Sequence, residues 1–169
     1  MSDPLPMPLP LPCSGDRSSF WEELHHQASI GGSVTLLDVD ALDPGEASRV
    51  LDFFLHDPMV TGPIEPFATL LGAMLRKQET GLWDLDSARP GAEASREAFL
   101  LGLPREYPQC LQCACFPLCQ GYGAWAGSCE TWRTILSGLA VAARELSALR
   151  RRHARRPERR YSDDHPHPS

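Results

Sequence analysis

Apolar side chains recur at i, i+3 and i+4 through most of the chain, a period that predicts helices rather than strands. Ser19 with Glu22 three residues on reads as a capping box for a short helix through Phe20, Trp21 and Leu24, ended by Gly31 and Gly32. Asp43-Pro44-Gly45-Glu46 supplies a cap, a proline at the first helical position and a glutamate at the third. The helix after it repeats apolar residues at Ala47, Val50, Leu51 and Phe54 and stops at Asp57-Pro58. A third helix is predicted from about Ile64 to Glu79, and a short fourth from about Ala92 to Leu101, closed by Gly102 and Pro104. Ser128 caps the last and longest, whose stripe runs Trp132, Ile135, Leu136, Leu139, Ala143, Leu146 and Leu149. Only residues 33–39, SVTLLDV, read as a strand. The expected fold class is therefore mostly α, a small helical domain with a short β element and a cysteine-rich, metal-binding loop before the last long helix.

The two ends break this pattern. Residues 1–12 alternate proline with aliphatics, which predicts an extended polyproline arm outside the core. The arm has no basic region and no unbroken apolar run, so it does not read as a secretory signal. No stretch reaches the roughly 18 apolar residues of a membrane span. Residues 1–149 carry nine basic and nineteen acidic side chains, a net −10, whereas residues 150–160 carry seven arginines against one glutamate. An acidic body thus ends in a short basic extension. The organisation expected is a proline-rich disordered arm over residues 1–18, a helical part over 19–104, the cysteine-rich loop and long helix over 105–150, and a basic, disordered tail over 151–169. A cytoplasmic location is expected; thiols stay reduced there, and clustered cysteines bind metal more often than they pair.

Six cysteines are present, and four fall within CLQCACFPLC, residues 110–119. The spacing Cys110-x2-Cys113-x5-Cys119-x9-Cys129 offers four thiolates to one centre, with Cys115 as a spare thiol. Gly121, Gly123 and Gly127 after the third cysteine allow amide N–H groups to approach sulfur. Cys129 falls at the first turn of the last helix, where the dipole favours a thiolate. Phe116, Trp125 and Trp132 could shield the site from water. Structural zinc usually shows two C-x2-C pairs and only one is present, so an iron–sulfur cluster is expected, with zinc as the alternative.

The run C-LQ-C-ACFPL-C-QGYG followed by a later cysteine resembles the SPASM domain, the auxiliary iron–sulfur extension of many radical SAM enzymes that mature peptides and proteins. The resemblance spans roughly residues 105–135. It implies one [4Fe–4S] cluster on Cys110, Cys113, Cys119 and Cys129. The family's further cysteine, a ligand of its other auxiliary cluster, is replaced by Gly123, and the upstream ligands of that cluster are missing from residues 14–109. The C-x3-C-x2-C motif of the catalytic cluster is absent as well, since Tyr122 stands where its third cysteine would follow Cys115 and Cys119. The resemblance therefore implies a free-standing iron–sulfur accessory protein without catalysis of its own. Its partners would be a separate radical SAM enzyme and a peptide substrate, served by electron transfer or substrate binding. A second resemblance, to WhiB-like redox-sensing regulators, rests on C-x2-C-x5-C, GAWAG at residues 123–127 and the basic run Arg150–Arg160; it would add DNA as a partner. Cys13, however, lies far upstream of where that family places its first ligand.

The remaining candidates carry less. Asp43 reads as a helix cap, with Asp38 and Asp40 as solvated carboxylates. His25 and His26 are adjacent and point apart, and His165 and His167 sit in the tail. No nucleophile triad, phosphate-binding loop or nucleotide fingerprint is present. The arginine run suits an anionic partner, and a protein is expected there before a nucleic acid, because the body is acidic.

Overall fold

The computed structural model of the chain describes residues 8–86 and 92–154. The start of the proline arm and Arg155–Arg160 of the basic run lie outside the described residues. The chain is mostly helical, as the periodicity predicts, with one short parallel sheet.

Strands β1 (Leu9–Pro12), β2 (Val34–Leu37) and β3 (Ile64–Glu65) lie side by side in that order, all parallel. Helix α1 (Arg17–Ser29) connects the first pair and α2 (Pro44–His56) the second, so the N-terminal half is a βαβαβ unit. Two expectations change here. Leu9–Pro12, expected outside the core, form the edge strand β1, in register from Leu9 on Val34 to Pro12 on Leu37. Prolines fit because they alternate with residues that face β2. Leu9 donates to Ser33 and Cys13 to Leu37, while Pro10 and Pro12 fall at positions whose N–H would point off the edge. Leu11 and Cys13 are buried. Ile64 and Glu65, expected to open a helix, form β3, and α3 runs from Phe67 to Arg76.

Capping settles the helix starts. Asp43 closes the expected box on α2, accepting from the Glu46 amide at 2.9 Å while the Glu46 carboxylate accepts from the Asp43 amide. For α1 the cap is Asp16, not Ser19; its carboxylate accepts the Ser19 amide at 2.8 Å and hydroxyl at 2.9 Å, which pulls its pKa down. Helix α4 (Ala92–Glu106) runs through Gly102 and Pro104 rather than ending before them. Single turns α5 (Pro108–Leu111), α6 (Phe116–Cys119) and α7 (Tyr122–Trp125) then lead into α8, Cys129–Ala154.

Helix α8 is the spine of the core and packs on α2, α3, α6 and α7. Its Trp132, Ile135, Leu136 and Leu139 are almost wholly buried and share one cluster with Leu11 of β1, Val34 of β2 and Phe67 of α3. The predicted stripe leaves the core beyond Ala143: Leu146 and Leu149 are exposed.

Cys13 sits in this core with no solvent exposure, and burial pushes its thiol up from 9.0 to about 12. The folded chain therefore holds a proton that the unfolded chain releases from about pH 9. Stability is expected to fall as pH rises from 9 toward 12, which urea denaturation across that range would register. At pH 8 Cys13 is expected to resist alkylation until the protein unfolds, as peptide mapping of labelled protein would show.

Candidate metal centre

The three short turns fold the cysteine segment back on the start of α8. Cys110 lies in α5, Cys113 in the bend after it, Cys119 at the end of α6 and Cys129 at the first residue of α8. All four line one cavity of about 590 Å³, together with Phe116, Ala124 and Arg133. Each of the four sulfurs lies within electrostatic or hydrogen-bonding reach of the other three. Sequence spacing predicts this grouping, and the chain path brings it about.

Of the other two cysteines, Cys115 also lines this cavity and Cys13 does not. Cys115 turns toward α8, its sulfur 3.3 Å from the Ser137 hydroxyl. Cys13 is in the sheet core. Of the aromatic residues expected to shield the thiols, Phe116 lines the cavity. Trp125 instead packs on Trp83 and Tyr122, and Trp132 on Tyr122 within the core.

Crowded thiols resist ionisation. Burial, followed by the neighbouring Cys113 sulfur, raises the Cys110 pKa. Cys119 is raised by burial and opposed by the amides of Gly123 and Gly121, the first donating to its sulfur at 3.2 Å. At Cys129 loss of water comes first, then repulsion from Cys110, Cys119 and Cys113, so its pKa also rises. The helix start, expected to favour a thiolate at Cys129, is outweighed by burial and by these neighbours. A bound cationic centre would reverse the balance, because it turns four mutually repelling sulfurs into ligands.

Among the described residues, no group of three or more His, Cys, Asp or Glu is gathered closely enough to hold a metal ion. A tetrahedral zinc with bonds of about 2.3 Å needs its sulfurs within about 3.8 Å of one another. A cubane presents a separate iron to each thiolate and accepts them farther apart. The donor set, all sulfur with glycine amides aimed at Cys119, also suits such a group.

Gly123, where the family's further cysteine would stand, is closely packed. A Cβ at this position would lie 3.3 Å from the Cys129 Cα and from the Trp132 Cβ, and 3.6 Å from the Cys119 sulfur. A side chain here would have to displace the start of α8 by a few tenths of an ångström.

Distant side chains hold the loop, and spacing alone does not find them. Thr80 donates to the Leu118 carbonyl at 2.6 Å and the Trp83 indole to the Gln120 carbonyl at 3.3 Å, clamping the peptide groups on both sides of Cys119. Asp40, expected to be a solvated carboxylate, accepts from Ser128 at 2.7 Å and from the Trp132 indole. It thereby pins the first turn of α8, and with it Cys129, to the strand end. Replacing Asp40 with alanine is expected to cost about 2 kcal/mol, a loss of hydrogen bonds to a charged acceptor. Both bonds fall on the same Asp40 oxygen, so Asp40→Asn keeps the acceptor and loses only the charge, and should recover about half, as the midpoints of chemical denaturation would show.

Among the described residues no helix is long and apolar enough to cross a membrane. No protein-family model, curated protein or solved structure matches the chain, so the cysteine loop itself carries the functional argument.

Proposed function

We propose that the protein is an iron–sulfur accessory protein, holding one [4Fe–4S] cluster on Cys110, Cys113, Cys119 and Cys129 and assisting a separate radical SAM enzyme in peptide or protein maturation in the cytoplasm. The observation that carries this reading is the mutual approach of four thiols around one cavity, with the Cys115 sulfur at its wall engaged by Ser137 of α8 and Cys13 away in the sheet core. The bound group would supply one-electron chemistry. The chain's own part is to position the four sulfurs, offer glycine amides to Cys119 and fix Cys129 through Asp40. With every corner ligated by protein, no iron is left open for substrate, which favours electron transfer or a structural role over Lewis-acid catalysis.

The test is metal and acid-labile sulfide content after anaerobic purification, with absorption spectra before and after dithionite. About four irons and four sulfides per chain, with a broad band that bleaches on reduction, is the expected result. One zinc in a colourless protein would replace the cluster by a structural clip. Co-purification of the iron-loaded protein with a radical SAM enzyme tests the accessory role.

A further inference from the structure

One groove on the molecule lies away from both the strand ends and the four thiols. It runs between the end of α3 and the middle of α8, about 760 Å³ in volume. Its floor is apolar or small, with Met74, Leu118 and Ala140, and its rim carries Lys77, Arg144 and Arg151 with no carboxylate among its lining residues. On a chain whose first 149 residues carry a net −10, that is a local reversal of charge.

The α8 side of the groove follows one helical seam. Ser137, Ala140, Arg144, Ser147 and Arg151 are spaced by three, four, three and four residues, so they share a face. The three small side chains let another helix approach closely. The two arginines, both exposed, stand seven residues apart, about 10.5 Å along the axis. Exposed Val141 extends the apolar surface beside them.

We infer that this groove docks a partner protein through an acidic amphipathic helix. The helix would place carboxylates at i and i+7 opposite Arg144 and Arg151, with apolar residues between them on Ala140 and Met74. Charge complementarity selects this occupant. A second copy using the same face would set Lys77, Arg144 and Arg151 against themselves. The chain's own Arg155–Arg160 segment is cationic and is repelled in the same way. A nucleic acid fits poorly, because an apolar floor with three rim cations offers no continuous track for phosphates. Ala114 and Cys115 line both this groove and the thiol cavity, so the docked helix would lie against the back of the cysteine loop. The inference goes beyond the proposed function and stands whatever group the thiols hold.

The test uses the full-length protein and blocked helical peptides of about 18 residues, long enough to hold some helix in water. One peptide carries glutamates at i and i+7 with leucine and alanine between; one has lysines in their place; one moves the second glutamate to i+5. Binding is read by calorimetry and by amide shifts in isotope-labelled protein. The i, i+7 glutamate peptide is expected to bind with shifts confined to the groove, and to weaken on going from about 0.05 to 0.5 M salt. The other two should bind at least about fivefold more weakly, as the loss of two exposed charge pairs implies. In Arg144→Glu/Arg151→Glu, whose positions are exposed and whose fold is checked by circular dichroism, the preference should invert toward the lysine peptide. Equal binding of the glutamate peptide to this variant, or equal binding of the i+5 peptide, overturns the inference. So does displacement of the glutamate peptide by duplex DNA, or a concentration-dependent dimer in sedimentation that the variant abolishes. Iron content, measured on the same samples, reports separately on the cluster.

Discussion

Substituting serine for any one of Cys110, Cys113, Cys119 or Cys129 is expected to remove most of the iron and sulfide from the purified protein, while Cys115→Ser and Cys13→Ser leave them in place. The distinction rests on where the sulfurs lie rather than on the spacing of CLQCACFPLC, which offers Cys115 as readily as its neighbours. Cys115 is buried against α8, bonded to Ser137, and belongs to the packing of the loop. Cys119 should be the most sensitive of the four, since two glycine amides are turned toward its sulfur and the peptides around it are fixed by Thr80 and Trp83. Loss of cluster from Cys115→Ser, with retention in Cys119→Ser, would reassign the ligand set.

Local chemistry made much of the fold legible. Asp43-Pro44-Gly45-Glu46 announces α2 because all the groups that cap it lie within four residues, and the long stripe announces α8 through Ala143. The edge strand was not legible for a reason of the same kind. Leu-Pro-Leu-Pro is a polyproline pattern in isolation, and becomes a strand only because β2 offers carbonyls to the alternate residues. Ile64 and Glu65 likewise pair with Val34 and Thr35, some thirty residues away, and nothing near them marks the change of period. Ser19 with Glu22 imitates a capping box, yet Asp16 stands closer to the true start and accepts from Ser19 itself.

The candidate site divides along the same line. Its ligands are close in sequence, so their pattern shows. Its supports are remote: Asp40 is 92 residues from Trp132, Thr80 is 38 from Leu118, and Trp83 is 37 from Gln120. Aspartates in LLDVDALDPG look alike on paper. Asp43 caps a helix, Asp38 takes a left-handed backbone at the head of the short turn after β2 without a side-chain cap, and Asp40 binds Ser128 and Trp132 at the start of α8. Only the fold tells them apart.

The glycines of the loop offer the sharpest probe of how tightly fold and site are joined. Gly121 has φ +84°, and a Cβ there would come 2.4 Å from the Leu103 side chain and 3.2 Å from Phe99. Gly121→Ala therefore carries two costs, a left-handed backbone on an L-residue and overpacking against buried Leu103, together about 3 kcal/mol. For a chain of this size the melting temperature should fall by about 6–12 °C. Gly127 has φ +73° with nothing within 4 Å of its Cβ, so Gly127→Ala bears the backbone cost alone, about 1 kcal/mol. The difference between the two melting temperatures isolates the contact with α4. Because the Gly121 amide also faces the Cys119 sulfur, Gly121→Ala should lose iron per folded molecule and Gly127→Ala should not. Equal iron content in the two variants would mean that the loop holds its sulfurs independently of α4, leaving the anchoring to Thr80, Trp83 and Asp40.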